Sequence, residues 1–519
     1  MKIGLQHITC HGCGAQVEFK TTDSLLAICP YCHTHVTKDE EKINTFGKKS
    51  EIVQDFSKIQ IGTTGDYRGE QFTVIGRVQI KYTYGYWNEW YILFSNGLTG
   101  WLSDVMDEYS ITLELNQKNF DFLKKNLKLE FRNIIDFPDF DELEVDKYYL
   151  INNTSFYCID LSVAKILGAE GEIGFDIRQY HEFRVADFKG SEKINSLQFL
   201  TVDYSEKTPK YYIGEYKHNI QLSNTKNIDD INNSTGEYKG KLIKFSCPSC
   251  GSENPKVSGI TSKVFCINCG SEIDANQKVA LVLNKAKEPQ EQFTSLKCGK
   301  TGRLRGKHYL VLGVVVKTDD ESIWNEYFLY EKGGTFSWLI EFDGKWYLSN
   351  PTTELPVVRG TALNYKNEDY KLKNEPYFSK ILYVWGSFNW EICKNDLIIT
   401  TDYIHKNKTL ELSKEILKLP EHQDVSYSIN NLIPIKEIME AFKLSKKDMI
   451  QKNTAENKKF YHWLFIGSML YSFVLSMPNG VASTISVVII SFFIIGTLCI
   501  GGFVGELLLA KYFEMSQNN

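Results

Sequence analysis

Eight of the twelve cysteines in this chain fall in four C-x-x-C pairs, Cys10/Cys13, Cys29/Cys32, Cys247/Cys250 and Cys266/Cys269. A two-residue spacer lets one knuckle turn deliver both sulfurs to a single ion, so each C-x2-C-x15-C-x2-C run is a four-thiolate metal signature. A disulfide framework would spread its cysteines without this pairing, and the pattern points to metal sites in a reducing compartment. One zinc ion per set is expected, with an iron-bound rubredoxin-like site as the alternative. A module this small cannot fold on an apolar core, so the metal reads as a structural staple. Four thiolates also leave no open position for catalysis. His7, His11, His33 and His35 crowd the first set, but Lys244, Pro248, Gly270 and Glu272 stand in their places in the second, so they are read as bystanders.

Those counterparts come from an offset of 237 residues, which superposes all four cysteine pairs without a gap. The same offset places Gly65, Gly69, Gly76 and Gly97 on Gly302, Gly306, Gly313 and Gly334, and Trp101-Leu102 on Trp338-Leu339. Trp87-Asn88-Glu89 falls on Trp324-Asn325-Glu326. The chain therefore reads as a duplication. Its parts are a zinc ribbon (1–37), a β-domain (52–216), a polar linker (217–244), a second ribbon (245–274) and a second β-domain (289–430).

The β assignment rests on alternation. Within 72–83, Phe72, Val74, Gly76, Val78, Ile80 and Tyr82 fall on one face, and Thr73, Arg77, Gln79, Lys81 and Thr83 on the other, with Ile75 the exception. This is the pattern of a half-buried antiparallel strand. A return strand over 87–95, a turn at Asn96-Gly97 and a third strand over 98–102 follow. Many short aromatic-rich strands come next, so a β-sandwich or small barrel is expected. In the second copy the first strand, 309–316, is apolar on both faces, so it is expected to be covered on both sides, by copy one or by an inter-domain element.

Several boxes carry a family resemblance. VIGRVQIKYTYGYWNEWYILFSNGLTGWLSD, AEGEIGF (169–175) and VADFKG (185–190), with WGSFNWEI and TTDYI in copy two, resemble the bacterial domain-of-unknown-function family 4178 over roughly 58–215 and 291–425. Gly174 replaces the usual Pro, Ser387 a usual Glu, and Val314 stands where copy one has Arg77. The resemblance implies no established activity. It implies an association with polyamine-linked enzymes and envelope-stress proteins.

Glu89 and Glu326 are the carboxylates that recur in an aromatic frame. A general base would need a raised pKa and a second catalytic group. The sequence offers no nucleophile elbow, phosphate loop, H-E-x-x-H or Cys-His pair. The architectural reading is that Glu89 accepts a bond from an indole N–H and pins the hairpin. Between these lies ligand holding, with Arg77, Trp87, Asn88, Glu89, Trp90 and Trp101 as an aromatic wall and carboxylate for a polyamine or other cation.

The C-terminal end is apolar. The runs 460–477 and 481–510, separated by Pro478-Asn479-Gly480, read as two transmembrane helices, and a buried soluble hairpin is the alternative. Before them, 434–459 reads as a basic amphipathic juxtamembrane segment. Ile435, Ile438, Met439 and Phe442 share one helical face, and six lysines over 443–459 stand against Asp448 and Glu456. Positive residues beside a span favour the cytoplasmic side, and the N-terminus carries no apolar signal run.

The expected fold is thus mainly β, with two ribbons, two β-domains and a helical transmembrane hairpin. The expected function is a cytosolic scaffold or sensor anchored in the cytoplasmic (inner) membrane, binding a protein or a small cationic ligand. An enzyme built around Glu89 is the alternative. A nucleic-acid-binding ribbon is disfavoured by a net charge of -5 and by the lack of a basic face.

Overall fold

The computed structural model describes residues 6–38, 52 and 57–449, apart from breaks of one to four residues and longer ones at 191–197, 228–241 and 288–293. Residues Met1–Gln290 and Lys297–Phe442 form one compact unit. The second unit, Glu291–Leu296 with Lys443–Asn519, falls mostly outside the described residues.

Each repeat starts with its ribbon. In the first, Gln6–Thr9 pairs with Gln16–Phe19, and β1 (Leu26–Ile28) pairs with His35–Thr37. The segment between the knuckles therefore divides its strands between two pairings. Eight long strands follow: β2 (Glu70–Tyr82), β3 (Gly85–Phe94), β4 (Thr99–Val105), β5 (Glu108–Glu114), β6 (Thr154–Ile173), β7 (Phe183–Gly190), β8 (Gln198–Asp203) and β9 (Lys210–Lys217). Antiparallel pairing runs β2-β3-β4-β5-β9-β8-β7-β6 and returns to β2, a closed ring. Closure leaves no long open edge.

The second repeat does the same. Its ribbon contributes β10 (Lys263–Phe265), followed by β11 (Lys307–Thr318), β12 (Ile323–Glu331), β13 (Thr335–Phe342), β14 (Lys345–Pro351), β15 (Tyr377–Ser387), β16 (Leu397–His405), β17 (Leu410–Lys418) and β18 (His422–Ile433). The ring is β11-β12-β13-β14-β18-β17-β16-β15. Every strand of copy two takes the place of the copy-one strand nine labels earlier, so the duplication read from cysteines and tryptophans extends to the whole topology.

Alternation in β2 breaks where the sequence hinted. The register shifts between Val74 and Gly76, so Ile75 is the extra residue of a β-bulge. A bulge inverts the phase of the residues beyond it. Val74 lies opposite Ile92, and Arg77 opposite Trp90. Phe72 and Val74 therefore share their face with Arg77 and Gln79, which are buried, while Val78 and Ile80 turn to the opposite face. The expected polar outer face of Arg77 and Gln79 is corrected accordingly. Apolar residues from all eight strands, among them Phe72, Trp90, Leu102, Leu113, Ile213, Leu200, Phe188 and Phe156, form one core, joined by α1 (Phe120–Leu127).

The inverted face receives the ribbon. Leu26 and Ile28 pack with Val78, Ile80, Ala169 and Ile173, and β1 pairs with the end of β6. In copy two β10 pairs with the end of β15, and Val257 and Phe265 pack on Leu312 and Val315. The doubly apolar strand of copy two is thus covered by its own ribbon and not by copy one. At the junction Gly76 faces Gly171, and Gly313 faces Gly386. A Cβ on Gly76 would lie 1.7 Å from the Glu172 carbonyl oxygen, so no side chain fits there.

Glu172 ties ribbon to ring. Its buried carboxylate accepts from the Lys20 amide and the Ser24 hydroxyl, each at 2.8 Å. Copy two has Ser387 at this position, donating to the Pro255 carbonyl. Glu172→Ala should cost about 2 kcal/mol by stranding two donors. It should also speed proteolysis within residues 6–38 ahead of the rest; equal protection in variant and wild type would contradict this role.

The copies share a sheet. On one edge β6 meets Tyr148–Ile151, then β18, then β2, then β1. The β18 contact runs from Asp160↔Asp424 to Ser162↔His422. Across the same seam Tyr157 and Tyr427 hydroxyls lie 3.0 Å apart and Lys414 reaches Asp146 at 2.7 Å.

The boundaries shift slightly from those expected. Leu222–Ser223 pairs with Gly65 and Thr64, so the linker begins later, and ribbon two starts at Leu242. The helix expected after Pro434 is α2 (Ile435–Phe442), but Ile438 and Phe442 are fully buried and Phe442 packs on Gly302. Ile438 and Phe442 of its apolar face are therefore packed within the same compact unit as copy two. Among the described residues no helix is long and apolar enough to cross a membrane. The two helices expected over 460–510 lie outside the described residues.

Candidate metal centres and carboxylate site

Cys10, Cys13, Cys29 and Cys32 form one group and Cys247, Cys250, Cys266 and Cys269 another, with all four sulfurs of each group within 4.8 Å of one another. That arrangement suits a single tetrahedral ion, and no histidine joins either group. The knuckles are built by local rules. The amides of Gly14, Gly251 and Gly270 donate back to the carbonyls of Cys10, Cys247 and Cys266 at 2.7–2.8 Å, each glycine at positive φ. His33 takes the fourth such position at φ 61, so its role is backbone geometry, outside the thiolate set. Without metal, burial pushes the Cys10 thiol up, while bonds from Thr34 hold Cys32 down at about 6. A thiolate is the form that binds metal.

The six residues expected to share a ligand site divide between two faces. Arg77 donates to Asn88 Oδ1 at 3.0 and 2.7 Å, stacks 4.9 Å from the Trp90 ring and pairs with Glu170 at 3.4 Å. Arg77, Asn88 and Trp90 thus form a buried knot on the core face. In copy two the same cross-strand positions carry Val314 and Trp385, an apolar exchange for the ion pair.

Trp87, Glu89 and Trp101 lie on the opposite face. Trp87 Nε1 donates to Glu89 Oε1 at 2.8 Å and the Ser103 hydroxyl to Oε2 at 2.6 Å. Copy two repeats the first bond at the same 2.8 Å, Trp324 Nε1 to Glu326 Oε1. The indole partner expected from sequence is present in both copies. Trp101 packs against Tyr91 in a tilted arrangement with ring centres 4.9 Å apart.

More carboxylates gather on this face than the sequence reading named. Asp187 of β7 lies directly opposite Asp160 of β6, which lies directly opposite Asp424 of β18. Like charges so placed repel. Asp187 accepts from Thr201 at 2.6 Å and Asp160 from Ser162 at 2.6 Å, and His422 Nδ1 lies 3.6 Å from Asp160. Burial, with Asp160 adding to it, pushes Asp187 up to about 7. Burial does the same to Asp160, and lifts Asp424 to about 6. Burial pushes Glu89 up to about 7 against its two hydrogen bonds, with Asp187 and Asp104 adding to the shift. Among the described residues neither Glu89 nor Asp187 has an ion-pair partner.

Copy two resolves the same problem internally. Lys317 Nζ lies 2.9 Å from Glu326 and 3.1 Å from Glu415. Burial works against the ammonium, but the two carboxylates hold it above its ordinary value. Tyr377 packs 6.4 Å from Trp324 and donates to Asp402, which also accepts from Ser413, the counterpart of the Asp187–Thr201 bond. The sequence did carry one signal for this: Lys317 is the only charge near the end of an otherwise apolar strand, YLVLGVVVKT.

The shift of Glu89 has a sign. From an ordinary 4.5 to about 7 in the fold, its neutral form stabilises the protein below pH 4.5, and that contribution is lost as pH rises through 7. Glu89→Gln does not titrate. The thermal midpoint of the variant should therefore gain on wild type from about pH 5 to about pH 8 in amine-free buffer. A constant difference would place Glu89 in an ordinary solvated setting.

The family model described as "Domain of unknown function (DUF4178)" matches residues 60–219 and 297–427, one match on each ring. No curated protein and no solved structure matches the chain.

Proposed function

The chain belongs to the DUF4178 family, with two copies of its domain, and from that premise we propose a scaffold or sensor, held at the inner membrane by its C-terminal apolar runs, whose ribbon–ring units bind and do not catalyse. The single observation that carries this reading is the identical Trp-to-Glu bond of 2.8 Å in both copies. A carboxylate committed to an indole in a copy with and a copy without Arg77 serves the hairpin first. Zinc fits both four-thiolate sets, because closed all-sulfur sites suit its tetrahedral preference. When bound it would fasten the two knuckles of each ribbon. The ribbons in turn are fastened to the rings, so the two units offer a rigid surface for a partner.

The test is affinity capture from solubilised membranes with wild type and Glu89→Gln, read by mass spectrometry alongside a cellular phenotype of the deletion. Retained partners with a retained phenotype are expected. Retained fold and partners with a lost phenotype would favour chemistry at Glu89. That second reading draws on the raised Glu89 pKa of about 7, a value suited to a general base.

A further inference from the structure

The two copies differ in the cation on their carboxylate faces. Ile80 and Lys317 are equivalent: each lies opposite the tryptophan of its Trp-Asn-Glu run, Ile80 opposite Trp87 and Lys317 opposite Trp324. In copy two the lysine stem brings an ammonium to Glu326 at 2.9 Å. In copy one the position is aliphatic, yet Glu89 keeps the place and the indole bond of Glu326. Asp187 likewise keeps its place beside a hydroxyl donor, as Asp402 does. The acidic residues are retained and the internal cation is not.

We propose that the Glu89 face of copy one is a receptor site for an alkylammonium group, occupying the place that Lys317 fills in copy two. This rests on the scaffold-or-sensor reading and gives its ligand a chemical class. The independent evidence is the second copy, where the equivalent glutamate binds an ammonium on an aliphatic stem. Asp160 and, from β18 of copy two, Asp424 stand in line with Asp187 across three strands beside this face. Glu89, Asp187 and Asp160 are half-buried. His422 lies 3.6 Å from Asp160 and 4.0 Å from Asp424, and a cation beside Glu89 and Asp187 relieves the repulsion at that end of the row. Trp87 lies directly opposite Ile80, as Trp324 lies opposite Lys317, and would wall the stem. Copy two, already filled, takes no such ligand.

The group can arrive on a free diamine or on a lysine side chain. Calorimetric titration of the purified full-length chain at about pH 8, where Glu89 is ionised, with 1,4-diaminobutane and separately with a lysine-containing peptide, distinguishes the two sources. Saturable binding of one equivalent of either supports the proposal; no binding of either at millimolar concentration overturns it. Glu89→Gln should weaken binding at least about tenfold, the loss of one charge-assisted contact. Ile80→Lys, which gives copy one the lysine of copy two, should abolish binding while the fold holds. If Ile80→Lys does not fold, Glu89→Gln decides alone. Folded variants that bind like wild type overturn the assignment. Partner capture by wild type is the separate readout of the scaffold reading, so the two can fail independently.

Discussion

Cys29→Ser should strip the first metal centre from the chain and unseat the first ribbon while leaving both rings folded. Cys29 is fully buried at the heart of the ribbon cluster with Cys10, Val17, Phe19 and Val36. That cluster is too small to hold without a cross-link, and a structural metal of this type contributes on the order of 10 kcal/mol. Two groups of four thiolates predict two metal equivalents in wild type and one in the variant, measured by elemental analysis. Release of β1 from β6 uncovers Val78, Ile80, Trp87 and Trp101, so tryptophan emission should shift to the red. Cys266→Ser should do the same to the second ribbon. A metal-free chain with an intact, protease-resistant ribbon would remove the metal from the account of this fold.

Lys317→Met should destabilise copy two by about 3 kcal/mol near pH 8, the cost of leaving a buried carboxylate without its partner. The lysine is 5% exposed and Glu326 11%, whereas Glu415 at 37% can turn to water, so most of the loss falls on Glu326. Burial raises Glu326, and removing Lys317 removes the influence that opposes the rise. Its neutral form then carries the stability, so the loss should shrink as pH falls and the carboxyl protonates. Denaturant unfolding at two pH values measures this, and Lys317→Met with Glu326→Met should recover most of the loss. An equal loss at both pH values would mean that the lysine acts through packing alone. The equivalent pair in copy one needs no such test of breakage, since Ile80 offers no charge to remove.

Much of this molecule was legible because its strongest signals are local or periodic. A C-x-x-C knuckle is a single turn, and one offset carried from the cysteines to Trp324-Asn325-Glu326 reveals the repeat. The bond between Trp87 and Glu89 joins residues two apart on one strand face, so pattern alone reaches it. What stayed hidden depends on pairing between distant segments. Ile75 was visible as an exception, but only the register of β2 on β3 shows that it inverts the face of Arg77, and with it divides the expected ligand set in two. The aspartate row needs β7, β6 and β18 brought side by side, and nothing around Asp160 in the chain announces Asp424. The ribbon contact was foreshadowed by the apolar run at 309–316, which asks for a cover without naming it.

The seam between the copies also sets a schedule for synthesis. The stretch of β6 from Asp160 to Ser162 waits for partners made roughly 260 residues later. At about 5–20 residues per second that is on the order of 15–50 s. Through that interval the first ring can close while this short edge stays open to any passing strand. The carboxylates of Asp160 and its neighbour Asp187 then guard it, because a charged edge discourages foreign pairing. A nascent chain stalled before residue 422 should therefore be soluble as made, and become prone to self-association when Asp160 is replaced by valine.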